Sequence, residues 1–164
     1  MSSPRRVKVL APETAAYIAG LVDGEGTVTL TRLHANERRR LVVCIANTEL
    51  ALLQFVFAAV GVGKITRKRA CAPQHTPSFC YAITSRQALA LLAQVLPYMR
   101  SYKRRRAHLA LDSYQRLTPR NGKYDAITLA ARQRFEQELL AAKAKAPAPD
   151  PLNRSATSRG TRRC

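Results

Sequence analysis

The chain has 164 residues, which is about the length of one domain. Its 28 Lys and Arg side chains against 10 Asp and Glu give a formal net charge of +18, while 46% of its residues are hydrophobic. That apolar content suffices for a folded core, which excludes a disordered basic polypeptide and indicates a polyanionic partner. No apolar run reaches the ~20 residues of a membrane helix, and the N-terminus lacks a secretory signal. We therefore expect a soluble intracellular protein.

The chain begins with a basic arm, residues 1–12, followed by a predicted helix over residues 13–22. The small and apolar side chains of that segment suit a helix, and we expect Gly24 and Gly26 to end it. Residues 27–31 then alternate between threonine and aliphatic side chains, which is the period of a β-strand with one outward face.

A second strand over residues 40–46 alternates in the same way and completes a β-hairpin with one face on a core. Asn47 and Thr48 then offer capping oxygens to a helix over residues 49–60. Gly61 is expected to end this helix.

The remaining pattern predicts a second hairpin and three more helices. Strands are expected over 64–69 and 78–83 and helices over 85–96, 101–117 and 126–145, with Ser85 as an N-cap and Pro97 as a stop. Residues 146–164 are rich in Pro, Ser and Arg and have little to bury, so we expect them to be disordered. The chain therefore contains one α-β-β-α-β-β unit, followed by helices.

Negative charge is missing from a long central stretch. None of the ten acidic residues lies between Leu50 and Leu111, whereas that stretch carries ten Lys and Arg. A folded surface with one sign of charge attracts phosphate and accelerates encounter with it. The distribution favours nucleic-acid binding over a merely soluble basic face or association with a ribosome.

The segment 18–26, with the sequence IAGLVDGEG, is the most informative part of the chain. It contains small residues one helical turn apart, which allow two helices to approach closely. If a second copy supplies the partner helix, two Glu25 carboxylates meet near the two-fold axis, where a divalent cation is needed to neutralise them. Such a cation supports phosphodiester hydrolysis, because it activates water and stabilises the leaving oxygen. The side chains predicted at this interface are Ala16, Ala19, Gly20 and Asp23.

This segment resembles the motif of the LAGLIDADG homing endonucleases. The resemblance continues, in order, through the threonine-alternating strand, V-x-I-x-N-T, V-G-V-G-K-I and L-P-Y before a basic helix start. It implies an α+β fold of the type αββαββα, with a four-stranded antiparallel saddle sheet and C-terminal helices. It divides the chain into a basic N-terminal arm (1–12), a LAGLIDADG core domain (13–117), a C-terminal helical extension (118–145) and a basic tail (146–164).

The resemblance also implies an activity, that of a site-specific double-strand DNA endonuclease of intron-encoded origin. Such an enzyme depends on Mg²⁺, for which Mn²⁺ can substitute, and leaves short 3′ overhangs. One motif implies a homodimer on a long, near-palindromic site of about 20 bp. No membrane partner and no organic cofactor are expected, and the location is the cytoplasm or an organelle containing the target DNA. An RNA maturase, or a non-cleaving DNA-binding regulator on the same scaffold, is the alternative.

The resemblance implies roles for the residues around the motif acid. Glu25 matches the metal-binding acid, and Gly24 would lend its backbone carbonyl to the metal. Asp23 is expected to hold the backbone at the helix end. Asn47 aligns with a polar residue that organises water around the metals, although helix capping explains it nearly as well.

A basic residue near the scissile phosphates is implied as well, and Lys103 resembles it. The segment P-Y-M-R-S-Y-K is one residue longer than the closest family spacing. Arg100 and Arg104 are therefore alternatives for the same place.

Outward strand positions and the tip of the first hairpin are expected to contact DNA. Arg and Lys can read guanine, Thr can contact base edges or methyl groups, and some of these side chains will contact only phosphate. The predicted residues are Thr27, Thr29, Thr31, Arg32, Arg38, Arg39, Arg40, Lys64, Thr66 and Lys68.

The cysteines, at positions 44, 71, 80 and 164, form no close CxxC pair, which excludes a disulfide scaffold and a zinc ribbon. Cys71, His75 and Cys80 are three candidate zinc ligands without a fourth, so they indicate zinc only weakly. A disulfide between Cys71 and Cys80 across the second hairpin is an open alternative.

Overall fold

The computed structural model describes residues 6–32, 34–68, 76–120 and 122–143. The helices are α1 Pro12–Glu25, α2 Leu50–Val60, α3 Ser85–Val95, α4 Lys103–Ser113 and α5 Ala126–Ala141. The strands are β1 Gly26–Thr31, β2 Arg40–Asn47, β3 Lys64–Arg67 and β4 Phe79–Thr84, and a 3₁₀ turn at Leu96–Tyr98 follows α3. This order confirms the predicted αββαββα arrangement with further C-terminal helical structure.

Some predictions concern residues outside these ranges. They are the disordered tail and the two alternatives for Cys71 and His75, zinc ligation and a disulfide to Cys80. Within the described ranges, no helix is long and apolar enough to span a bilayer.

The four strands form one antiparallel sheet in the order β1-β2-β4-β3. Each hairpin pairs its own two strands, and β2 pairs with β4 to join the hairpins through the middle of the sheet. The predicted four-stranded antiparallel sheet is therefore confirmed, with the first strand of each hairpin at an edge.

One face of the sheet is buried beneath the helices. The aliphatic positions of the first hairpin point into this core as predicted, because every second residue of β1 and β2 is buried. Side chains from α1, α2, α3 and α4 fill the space above them. The fully buried strand residues are Val28, Leu30, Leu41, Val43, Ile45, Tyr81 and Ile83, each 0–1% exposed.

Several predicted helix ends are wrong. The helix expected over 101–117 spans Lys103–Ser113, and the one expected over 126–145 ends at Ala141. Gly24 does not stop α1, which continues to Glu25 and passes directly into β1 at Gly26. A Cβ on Gly26 would lie 2.6 Å from the Cα of Val22, so this tight exit requires glycine. Ser85 is the first residue of α3 and not its cap, because β4 enters the helix without a loop and the cap position falls on Thr84. Gly61 ends α2 in the left-handed conformation, as predicted.

The described part of the N-terminal arm is attached to the core. The backbone N–H of Lys8 donates to the carbonyl of Val60 (3.0 Å), and its Nζ donates to that of Ala58 (3.0 Å). On the other side, Gln94 accepts from the N–H of Leu10 (2.8 Å) and donates to the carbonyl of Lys8 (3.1 Å). Residues 8–10 therefore connect α2 with α3.

Two buried arginines attach the C-terminal extension to the sheet. Arg106, 8% exposed, donates to the carbonyls of Val28 in β1 (3.0 Å) and Ala142 after α5 (2.7 Å). Arg132 of α5, 1% exposed, donates to the backbone carbonyl of Arg39 just before β2. Helix α5 therefore supports the first hairpin from the core side.

The junction before β3 allows a test of packing. Gly63 has φ +111°, and a Cβ at this position would lie 2.6 Å from Cε2 of Tyr81. The ring of Tyr81 is held in place because its hydroxyl donates to the carbonyl of Val62 (2.8 Å). We expect Gly63→Ala to lower the free energy of unfolding by about 3 kcal/mol, measured by urea denaturation. Gly122→Ala is the control, because Gly122 also has a positive φ but open space around it, and it should cost about 1 kcal/mol. Equal losses would contradict the role of the ring.

Candidate functional site

The motif acid stands at the junction of α1 and β1. Glu25 is the last residue of α1, is exposed, and lines a shallow cavity of about 300 Å³ together with Ala46, Asn47, Thr48 and Ser78. The register explains this arrangement, because β1 pairs with β2 and brings the end of β2 beside the end of α1. The structure thus brings together two residues singled out from the sequence, Glu25 and Asn47.

Ser78 on the same cavity wall was missed by the sequence analysis. It precedes β4, whose first residue, Phe79, lies opposite Asn47 in the register between β2 and β4. Its position depends on the pairing of two strands that are not consecutive in the chain. No local pattern in the sequence carries that information.

Asn47 has a local structural role in addition to its place on the cavity wall. Its Oδ1 accepts the backbone N–H of Glu49 (2.8 Å), the residue at the N-cap of α2. The side chain therefore stabilises the turn that precedes α2. The prediction that Asn47 or Thr48 caps this helix is wrong, because Glu49 occupies the N-cap position and no side chain caps the helix. The predicted role of Asn47 in organising water stays a prediction.

Asp23 holds the end of α1 against the segment after the 3₁₀ turn. Its carboxylate accepts the backbone N–H of Arg100 (2.5 Å) and the hydroxyl of Ser101 (2.6 Å). This is the backbone-fixing role expected from the sequence. Because the carboxylate is engaged within its own subunit, a contribution to an interface stays a prediction.

Lys103 lies beneath the motif and is only 7% exposed. Its Nζ donates to the carbonyls of Val22 (3.0 Å) and Asp23 (2.8 Å), which are among the last of α1. The carbonyl of Val22 also accepts the backbone N–H of Gly26. Carbonyls at a helix C-terminus carry the negative end of the helix dipole, so an ammonium stabilises them. Desolvation lowers the pKa of Lys103, and the charges of Asp23 and Glu25 oppose that shift.

These contacts use the Lys103 ammonium for structure, and Lys103 is not among the cavity-lining residues. The alternatives, Arg100 and Arg104, are both exposed. A role for any of the three at a scissile phosphate stays a prediction.

One side of helix α1 exposes two glycines to solvent. Gly20 and Gly24 are exposed, and a Cβ at either position would meet no heavy atom within 4 Å. Tyr17 lies on the same side, 47% exposed, with its ring edge-on to Phe55 of α2 at 5.6 Å. Ala19 is fully buried in the core of its own subunit. The expectation that Ala19 packs against a partner is therefore wrong.

The oxygen atoms at the end of α1 fit a hard divalent cation. Glu25 offers a carboxylate and Gly24 a backbone carbonyl, and Mg²⁺ prefers such oxygen ligands. Across the described residues, no group of three or more His, Cys, Asp and Glu side chains could hold a metal ion. A cation here would take its other oxygens from outside the subunit, which is usual for Mg²⁺ on phosphate substrates.

The second candidate surface is the face of the sheet opposite the core, which we call the outer sheet surface. The strand register places the predicted DNA-contact residues of three strands on this one face. Lys68 continues the β3 side, because its N–H donates to the carbonyl of Ser78 (2.8 Å). The register also adds β4, to which the sequence analysis assigned no face. The surface comprises Thr27, Thr29, Thr31, Arg40, Val42, Cys44, Ala46, Lys64, Thr66, Cys80, Ala82 and Thr84.

The arginines near the hairpin tip are engaged within the subunit. The guanidinium of Arg38 stacks over the ring of Tyr124 at 5.2 Å, and Arg39 forms a 3.7 Å ion pair with Glu136 of α5. Arg32 donates to a backbone carbonyl of its own loop (3.0 Å). Their predicted contacts with DNA stay predictions, and Arg38 and Arg39 connect the hairpin to the C-terminal extension.

This architecture, a four-stranded antiparallel sheet with an acid at the end of the helix above it, defines the homing-endonuclease fold. Three solved structures share it. The homing endonuclease I-CvuI in complex with its target matches with a TM-score of 0.67 and 17% identity, over 82% of this chain and 85% of that one. The archaeal intron-encoded I-Vdi141I with DNA matches with a TM-score of 0.64 and 18% identity, over 86% and 91% of the two chains, and the group I intron-encoded I-CeuI with DNA matches with a TM-score of 0.61 and 13% identity, over 80% and 68%. No protein-family model and no curated protein matches the chain. The predicted fold is confirmed.

Longer neighbours share the fold over only part of their length. The match to the LAGLIDADG meganuclease I-AabMI, at 19% identity and a TM-score of 0.53, covers 74% of this chain and 43% of that one. For the LAGLIDADG homing endonuclease I-GzeII the shares are 78% and 44%, at 16% identity and a TM-score of 0.53. This chain therefore corresponds to less than half of each of these two proteins.

The capping role of Lys103 can be tested by its effect on stability. We expect Lys103→Met to lower the free energy of unfolding by about 2 kcal/mol, because two helix-end carbonyls lose their charged donor. Arg104→Met, at the exposed next position of α4, should change it by no more than about 0.5 kcal/mol. Urea denaturation measures both, and a negligible loss for Lys103→Met would contradict the capping role.

Proposed function

We propose that this protein is a site-specific double-strand DNA endonuclease of the LAGLIDADG homing type. The observation that carries the proposal is the position of Glu25. The motif acid is exposed at the end of α1, on a cavity formed with the end of β2 and the residue before β4. The neighbours I-CvuI and I-Vdi141I, which share the fold, are complexes with DNA.

The active form in this proposal is a homodimer. One subunit offers a single motif acid, and the exposed glycines of α1 leave room for a second helix to approach closely. Two α1 helices in contact would bring one Glu25 from each subunit to the common axis. Two sheets related by that axis suit a near-palindromic site of about 20 bp.

The outer sheet surface would contact the DNA. It carries threonine hydroxyls and the basic residues Arg40 and Lys64, with Lys68 beyond the end of β3, and the whole chain has a net charge of +18. Cations on such a surface attract phosphate and can read guanine in the major groove. Binding is therefore expected to weaken steeply as the salt concentration rises.

Glu25 and the carbonyl of Gly24 would hold Mg²⁺, with Mn²⁺ as a substitute. When bound, the cation supplies an activated water and stabilises the leaving oxygen of the phosphodiester. Lys103 and Asp23 keep the end of α1 in place, so that the carboxylate of Glu25 stays aimed at the cavity. Asn47 and Ser78 line that cavity and would orient water in it. One such site in each subunit would cut one strand and leave short 3′ overhangs.

The chemistry assigned to Glu25 is tested by Glu25→Gln. The change removes the charge that holds the cation, so we expect cleavage to fall at least about 100-fold while DNA binding changes little. The substrate is the uninterrupted allele of the gene in which the coding sequence resides, assayed with and without Mg²⁺. Cleavage is followed on gels and binding by electrophoretic mobility shift.

Glu13→Gln is the matched control, because Glu13 is an exposed acid in the first turn of the same helix. It should cleave like the unchanged protein. Retained cleavage by Glu25→Gln would contradict the proposed chemistry. Mg²⁺-independent DNA binding with no cleavage by any form would favour the regulator, and RNA splicing activity would favour the maturase.

The homodimer is tested by Gly20→Leu. Within the subunit the new side chain has open space, so the fold should be retained, whereas a helix packed against Gly20 would be pushed away. We expect a dimer for the unchanged protein and a folded monomer for the variant in analytical ultracentrifugation. Gln133→Leu, an exposed position of α5, controls for the added apolar surface and should stay dimeric. An unchanged dimer in Gly20→Leu would exclude this face as the interface.

A further inference from the structure

Two thiols are neighbours on the outer sheet surface, and the proposed reaction uses neither of them. Cys44 of β2 lies opposite Ala82 of β4, and Cys80 of β4 lies opposite Ala46 of β2. The two cysteines are therefore diagonal neighbours on adjacent strands, with side chains on the same face. The Sγ of Cys80 donates to the carbonyl of Tyr81 (3.6 Å), and neither cysteine forms a disulfide.

The pair lies between side chains that are predicted to contact DNA. Cys44 is opposite Thr27 in the register between β1 and β2, and Cys80 is opposite Thr66 in the register between β3 and β4. Both cysteines are half-buried, so small oxidants in solvent can reach them. Any covalent change at this pair occurs at the centre of the surface.

We propose that Cys44 and Cys80 form a redox-reactive dithiol that hydrogen peroxide converts to an intramolecular disulfide, and that this disulfide lowers the affinity of the outer sheet surface for DNA. The formation of the disulfide is inferred from the placement of the two thiols. Its effect on DNA affinity rests on the proposed function.

The reaction is a two-electron oxidation of the dithiol by the peroxide. One cysteine, as its thiolate, attacks a peroxide oxygen, the O–O bond breaks, and a sulfenic acid and one water form after protonation. The second thiol then attacks the sulfenic sulfur, the S–O bond breaks, the S–S bond forms, and a second water leaves. In total, two thiols and one hydrogen peroxide yield one disulfide and two waters.

The surroundings of Cys80 affect how readily its thiol forms the attacking thiolate. Burial raises the pKa of the Cys80 thiol, the nearby Cys44 raises it further, and Lys68 opposes both. Because the thiolate is the nucleophile, attack by Cys80 on the peroxide should accelerate as the pH rises.

A disulfide would change the shape of the surface as well as its chemistry. Diagonal neighbours on antiparallel strands have Cα atoms about 7–8 Å apart. The Cα atoms of a disulfide are usually about 4.4–6.8 Å apart, so its formation draws β2 and β4 together locally. The side chains of Thr27 and Thr66 on either side would shift with their strands and lose their fit to the DNA.

The experiment uses the full chain with Cys71→Ser and Cys164→Ser, so that only the proposed pair can react. The protein is treated with hydrogen peroxide over a pH series, digested with trypsin and analysed by mass spectrometry. Binding to a labelled duplex of mixed sequence in low-salt buffer is measured before treatment, after treatment and after reduction with dithiothreitol. The matched control carries Cys44→Ser in the same background.

We expect peptide 41–64 to become linked to peptide 70–86 with the loss of two hydrogens, faster at higher pH. DNA affinity should fall about tenfold on oxidation, recover on reduction, and be unaffected by peroxide in the Cys44→Ser control.

Absence of the linked peptides would overturn the dithiol. Linked peptides with unchanged DNA affinity would overturn its effect on binding, as would an equal loss of affinity in the control. If the reduced protein fails to bind the duplex at all, the proposed function fails, whereas the peptide result still decides whether the dithiol exists.

Discussion

The direction of the motif acid depends on one buried ammonium. Lys103 of α4 donates to the carbonyls of Val22 and Asp23, about eighty positions earlier in the chain, and thereby holds the last turn of α1. The carboxylate of Asp23 ties the same turn to the backbone of Arg100. These contacts reinforce the last turn of α1, in which the N–H of Gly26 also donates to the carbonyl of Val22. Glu25 is therefore positioned by residues that do not line its cavity.

The basic residues of this protein divide into a buried group that stabilises the fold and a second group on the outer sheet surface. Arg106 and Arg132 are buried and donate to backbone carbonyls, so their charge stabilises the attachment of α5 to the first hairpin. Arg40, Lys64 and their neighbours lie on the outer sheet surface, where their charge is available to a polyanion. The net charge of +18 thus overstates the positive surface. The buried guanidinium of Arg106 is tolerated because backbone carbonyls accept from it. That of Arg132 is tolerated because Glu136, Thr118 and one carbonyl accept from it.

Predictions from sequence patterns were correct where the structure of a segment depends on the residues within that segment. Alternation over β1 and β2 predicted which side chains are buried, and Gly61 ended α2 as expected. Predictions that depended on neighbours in space were less successful. Gly24 was expected to stop α1, but the helix continues to Glu25 because Gly26 is the residue that must make the tight exit. Ala19 has the spacing of an interface residue, yet it points into the core.

The sequence by itself determined the order of the elements and the two faces of the first hairpin, because period and local backbone chemistry set both. Only the tertiary structure placed Ser78 beside Asn47, Cys44 beside Cys80 and Lys103 beneath α1. The first two neighbours follow from the pairing of β2 with β4, and the third follows from the packing of α4 against α1. The shared core decides these contacts between distant segments, and no short stretch of sequence records its geometry.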